Sequence, residues 1–396
     1  QSLTVFLQQL GRGLRHAENK ECLTVLDYVG RAHEKYNYEE RFRALIHKSK
    51  RSVRDSMGDE ILSLPRGCHI KMEKLAKEYI LSNIRNATIN KNAIISRIRT
   101  YQTETNRPLT LRNFLKYHDM SLIDFYGRSG NRSLYSLECI ALNKTMDPSY
   151  DMTMVKRFKN LFYMDSKRLL SIGIKYFCGD MEEIIDTKVT AIFYYSFYNK
   201  TPDNEGFKCM NDGLNKIREN KMLCEEIIEI LTYQYEHISF VDNHQQMNID
   251  SPLDVHCTYT SNQILAGLGY YNEVLMPAFR EGVLHIEKGN TDIFLITLNK
   301  SDKDFSEVTM YEDYPINNNL FHWQTQNRIS ESTPTAQRYI NHIKNNHDIL
   351  LFVREYKKRD GFVSPFIFMG KAKYVSHSGS KPMSFIWKLE DDMPAR

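Results

Sequence analysis

The stretch Asp242-Asn243-His244-Gln245-Gln246-Met247-Asn248, soon followed by Pro252, decides how the chain divides. It is polar and aperiodic, the composition of a linker. On its N-terminal side apolar residues recur at spacings of three and four, as in amphipathic helices. The clearest such helix runs from Met222 to Tyr235 through Ile227, Ile228 and Leu231. Thr110 before Leu111, Ser121 before Leu122 and Asp165 before Leu169 supply side-chain oxygens that can cap a first turn. On its C-terminal side the pattern changes to short β-rich runs: Val255 to Tyr259, Ile293 to Leu298, Ile349 to Tyr356, Phe366 to Tyr374 and Met383 to Leu389. Gly, Asn, Asp, Ser and Lys clusters separate them, and one helix is inserted around Ser261 to Leu268. About 145 residues of mostly antiparallel strands predict a small barrel or curled sheet.

Farther upstream the pattern changes again. Leu3, Phe6, Leu7 and Leu10 share a helical face, and Leu23-Thr24-Val25-Leu26 reads as a strand followed by Asp27 and Gly30. This is an α/β fragment without its partners. The chain is therefore expected to be an α+β multidomain protein with segments 1–35, 36–250 and 251–396.

Among 396 residues, 53 Lys plus Arg stand against 49 Asp plus Glu, a net charge of +4, which excludes a strongly basic arm. No apolar run approaches the roughly 20 residues of a membrane span, so no membrane partner is expected. The seven cysteines are scattered and never form C-x-x-C, which predicts a reduced, cytoplasmic setting without a disulfide framework. The amphipathic start at Gln1, with no Met and nothing like a signal peptide, predicts a C-terminal piece of a longer polypeptide.

Gln8-Gln9-Leu10-Gly11-Arg12-Gly13-Leu14-Arg15 fits Q-x-x-G-R-x-x-R and resembles motif VI of superfamily 2 helicases. The resemblance implies the end of a second RecA-like domain. Gln8, Arg12 and Arg15 would face ATP, with Mg, held by a preceding domain, and Arg15 would be the arginine finger. A guanidinium there stabilises charge on the transferred phosphoryl group, and three-residue spacing puts Arg12 and Arg15 on one helical face. Neither G-x-x-x-x-G-K-[ST] nor a Walker-B motif occurs, so no cofactor and no ATP hydrolysis are expected of this chain alone.

Five further motifs carry a second resemblance: Leu64-Pro65-Arg66-Gly67-Cys68-His69-Ile70, Arg107-Pro108-Leu109-Thr110-Leu111, Leu320 to Asn327, Gln337 to His342 and Tyr374-Val375-Ser376-His377. Together they resemble the region that follows the helicase in SauUSI-like ATP-dependent type IV (modified-cytosine-dependent) restriction enzymes, antiphage defence proteins. The resemblance implies a helical coupler over 36–250 and an SRA-like (PUA-type) domain over 251–396 that recognises 5-methylcytosine in double-stranded DNA. It also implies helicase and nuclease domains earlier in the same polypeptide, which would make the parent a DNA-dependent ATPase and endodeoxyribonuclease. The other reading is a non-restriction helicase whose C-terminal part docks a protein or binds nucleic acid without reading modification.

The nuclease is not expected within this chain. His342-Ile343-Lys344 and Asp348 fall one residue short of the H-x-K-x4-D of a phospholipase-D-type site. Pairs such as His342 with His347, or His244 with His256, lack the usual zinc-ligand spacing, so no metal is expected and these read as surface or capping histidines.

A flipped base needs aromatic faces to stack on, side chains that pair with its polar edge, and a basic rim. Residues 312–327 concentrate these types. Tyr314, Phe321 or Trp323 would stack, while Asp313, Gln324 or Asn327 would read the edge. The competing reading puts Phe321 and Trp323, two apart on a strand, together in the core. Arg328, Arg338, Lys344, Lys371 and Lys373 are candidates for phosphate contacts, and Arg41 to Arg54 forms a further basic stretch.

Overall fold

The computed structural model describes residues 8, 12 and 90–394, apart from 119, 128, 129, 280, 281, 300–312, 360 and 361. The strand expected at Leu23, the motifs at Leu64 and the basic stretch at Arg41 lie outside these residues. The chain divides into two compact units: residues 1–109, 113–125 and 137–144 form one, and residues 110–112, 126–136 and 145–396 the other. Among the described residues from 90 onward the helices are α1 (Lys91–Thr105), α2 (Leu111–His118), α3 (Leu122–Tyr126), α4 (Leu134–Leu142), α5 (Met152–Val155), α6 (Lys167–Cys178), α7 (Thr187–Phe197), α8 (Pro202–Glu205), α9 (Met210–Arg218) and α10 (Lys221–His237), then α11 (Ser261–Gly267) and α12 (Pro334–Ile340). In the first unit the rings of Tyr101, Phe114 and Phe125 meet at 5.6 and 5.7 Å.

In the second unit α7 is buried at every position from Val189 to Phe197, because its sequence is apolar around the whole circumference. It packs on α11, which opens with a capping box between Thr260 and Gln263. The cap of α6 differs from expectation. Ser166, not Asp165, accepts the Leu169 N–H, while the Asp165 carboxylate turns to the backbone N and hydroxyl of Thr258 at 2.5 and 2.9 Å. A carboxylate next to a cap can bond a distant segment when a neighbouring hydroxyl does the capping.

Helix α10 holds the least expected residue of its apolar face, the buried Glu226. Its carboxylate accepts from the Tyr126 hydroxyl (2.6 Å), the Tyr150 hydroxyl (2.9 Å) and the Leu134 N–H in the first turn of α4 (2.6 Å). Burial pushes its pKa up, and these hydrogen bonds pull the other way. Unpaired N–H groups at a helix start favour an anion, so Glu226 ties the start of α4 to α10.

The polar segment 242–248 is no free tether. Asp242 accepts the Arg168 N–H at 3.1 Å, Asn243 donates to Asp391 at 3.0 Å, and Gln245 accepts the Lys371 N–H at 2.7 Å while donating to Glu390 at 2.9 Å. Though half of it is exposed, the segment is pinned by hydrogen bonds to α6 and to the β-rich part.

Among the described residues the strands are β1 (Thr258–Tyr259), β2 (Val283–Ile286), β3 (Thr291–Asn299), β4 (Tyr314–Pro315), β5 (Leu320–Gln324), β6 (Asp348–Tyr356), β7 (Lys358–Arg359), β8 (Phe362–Val363), β9 (Phe366–Gly379) and β10 (Met383–Leu389). They form a mixed sheet of order β2-β3-β6-β9-β10-β5-β4, with β1 against β9 and a separate β7-β8 pair. The β3-β6 pair is parallel. Among the described residues the sheet is open, which corrects the barrel alternative: β2 and β4 stand at opposite ends of the order and are not paired.

Two burial patterns divide this sheet. In β3 and β6 residues Ile293, Phe294, Leu350, Leu351 and Phe352 are all buried, so both faces are covered, as their unbroken apolar runs require. In β5 and β10 burial alternates residue by residue. One face there packs Phe321, Trp323, Phe385, Trp387 and Leu389 into a core completed by Ala336 and Tyr339 of α12; the other, the more open face, is half-buried, with Lys388 exposed. Strand β9 crosses between the two regimes at Gly370, whose φ of +82° needs a residue without a Cβ; a Cβ would also press on Gln245 Oε1 at 3.0 Å.

Candidate nucleic-acid interface

The open face is set by register. Ser384 lies opposite Gln324, Ile386 opposite His322 and Lys388 opposite Leu320; across β9, Ser384 meets Ser378, Ile386 meets Ser376 and Lys388 meets Lys373. Tyr314 pairs with His322 across β4-β5, and their rings stack at 4.6 Å with 17° between planes. Tyr314 is 48% exposed. The face therefore carries an aromatic platform, a row of hydroxyls and amides, and two lysines side by side. Asp313 adjoins it, buried, with its carboxylate accepting the Gln324 N–H at 3.0 Å, and the Gln324 amide reaches Ser384 Oγ at 3.4 Å.

Four expected pocket residues thus gather here or nearby: Asp313, Tyr314 and Gln324 adjoin the open face, and Asn327 is exposed in the turn after β5 together with Arg328. Phe321 and Trp323 are elsewhere. Period-two alternation turns both inward, and Trp323 stacks on Phe294 at 4.1 Å. Of the three aromatics expected to stack, Tyr314 alone has an exposed ring. Lys388, Ser376 and Ser384 share this face without having been expected there; the signal for the β10 residues is the alternation Met383-Ser384-Phe385-Ile386-Trp387-Lys388-Leu389.

The expected phosphate contacts divide. Lys344 is exposed. Lys371 and Lys373 flank Glu390 at 3.6 and 3.1 Å; such surface pairs are worth little and leave the 57% exposed Lys373 able to turn outward. Arg338 is committed elsewhere, since its Nε and Nη2 grip Asp292 at 2.6 and 3.0 Å.

Asp292 is fully buried and is also approached by His347 Nε2 at 2.7 Å and His285 Nδ1 at 3.2 Å. His342 and His347 are buried, not surface, histidines. His342 donates from Nδ1 to the His347 carbonyl and accepts the Tyr374 N–H at Nε2, both at 2.9 Å, and burial pushes its pKa down. Burial also lowers that of His347, with Asp292 opposing. His244 joins Arg168 on Asp254, at 3.2 and 2.9 Å. Of the residues expected to form a motif VI, Gln8 and Arg12 are helical and exposed, and Arg15 lies outside the described residues.

Residues 253–396 match a family model described as a domain of unknown function (DUF3427). No curated protein matches the chain. Among the described residues no helix is long and apolar enough to cross a membrane.

Proposed function

We propose that this chain is the target-recognition and coupling module of an ATP-dependent type IV restriction enzyme. Its C-terminal, SRA-like part would bind duplex DNA containing 5-methylcytosine and take the flipped base against the open face of β4, β5 and β10. The observation that carries this reading is the exposed Tyr314 ring stacked on His322 beside Asp313 and Gln324. An aromatic face next to a carboxylate and an amide is what a flipped cytosine requires. Lys388 and Lys373 would meet the backbone. At the other end of the chain, Gln8 and Arg12 are each helical and exposed, which supports a RecA-like motif VI presenting them to ATP and Mg bound by the helicase domains of the same polypeptide.

Fluorescence anisotropy with two duplexes differing only in one 5-methylcytosine tests the proposal. The methylated duplex should bind more tightly, and Tyr314→Ala should weaken it by about 1–3 kcal/mol, the usual worth of a base–aromatic stack. Lys388→Ala should lower affinity for both duplexes alike and reduce the salt slope by about one. Equal affinity for both duplexes in the intact chain would sink the base-reading role.

A further inference from the structure

The Asp292 cluster offers a donor set that the ion pair with Arg338 does not use up. His285 lies opposite Asp292 across β2-β3, and the parallel register that sets Thr291 opposite Asp348 brings His347 to the same end of the sheet. One ligand atom from each of His285, Asp292 and His347 lies within 4.8 Å of the other two. His285 Nδ1 is buried and makes no hydrogen bond, although Asp292 Oδ1 is 3.2 Å away.

The tautomer of His347 follows from its neighbours. The Asn290 amide nitrogen donates to the carbonyls of Asn345 and Asn346 at 3.0 and 2.7 Å, so its oxygen must face His347. His347 Nδ1–H therefore donates to Asn290 Oδ1 at 2.6 Å, and Nε2 points at Asp292 Oδ2. A side-chain carbonyl that fixes one ring nitrogen and leaves the other aimed at a shared point is how proteins orient a ligating histidine. Arg338 donates to both Asp292 oxygens, Nε to Oδ2 at 2.6 Å and Nη2 to Oδ1 at 3.0 Å, which orients the carboxylate and leaves each oxygen a further lone pair; its charge makes the site weaker than one without a neighbouring cation.

The geometry points to a divalent transition-metal site formed by His285 Nδ1, an Asp292 carboxylate oxygen and His347 Nε2, with water in the remaining position. Two imidazoles and one carboxylate suit Zn²⁺ and related ions, whereas Mg²⁺ and Ca²⁺ prefer all-oxygen sites. The inference does not depend on the DNA-binding reading.

The test uses the full chain, stripped with chelator, dialysed and titrated calorimetrically with ZnCl₂. One equivalent should bind, and excess MgCl₂ should not displace it. His285→Ala should weaken uptake by roughly 10-fold or more, and His285→Cys, which restores a zinc donor, should recover it. The His285 side chain is 30% exposed, so the metal-free melting temperature of His285→Ala should stay close to that of the parent, which separates a lost ligand from a lost fold. Absence of zinc uptake by the parent chain, or equal uptake by His285→Ala, would overturn the site and leave His347 and Asp292 as an imidazolium–carboxylate pair.

Discussion

Replacing Glu226 by Ala is expected to destabilise the second unit by about 3–5 kcal/mol, since it strands several buried donors at once. The Tyr126 and Tyr150 hydroxyls and the Leu134 N–H all converge on that carboxylate. Equilibrium urea unfolding measures the loss, and an unchanged m-value would show that the folded state is otherwise intact. Glu226→Gln separates charge from hydrogen bonding. Burial raises the Glu226 pKa in the folded state. Relative to Glu226→Gln, the parent chain therefore holds its full stability contribution below the ordinary glutamate value of about 4.3 and loses it as pH rises through the folded value. A stability difference between the two that stays flat with pH would show that Glu226 titrates normally.

Asp292→Ala should cost a comparable 3–5 kcal/mol in metal-free solution, through a different imbalance. Asp292 is fully buried and balances Arg338 and His347. Removing it leaves His347, itself 1% exposed, beside an arginine with no counter-charge. Arg338→Ala should cost about half as much or less: the arginine is 27% exposed, and Asp292 keeps its histidine partner. Urea midpoints of the two variants should thus differ clearly. Equal midpoints would mean that the carboxylate is not the centre of the network. Because the three partners share one carboxylate, the double variant should fall short of the sum of the singles.

Much of the architecture was readable from periodicity. Strand β10 was expected at Met383 to Leu389 and is found there, and α10 extends the expected helix by one residue at its start and two at its end. The same alternation decided the fate of Phe321 and Trp323, whose dense aromatic company had suggested a pocket but whose spacing of two put them in the core. In segment 242–248 polar composition did not reveal the hydrogen bonds that pin it to other parts of the fold.

The sequence by itself determined the change from helical to strand periodicity, the doubly buried β3 and β6, and the one-sided β5 and β10. These follow from local apolar spacing, which one segment carries alone. Only the tertiary structure decided that Glu226 would cap α4 from α10, that Arg338 would serve Asp292, and that His285, Asp292 and His347 would share one point. Those meetings depend on helix packing and on strand order and register over 7 to 92 residues of separation, and no local pattern encodes them.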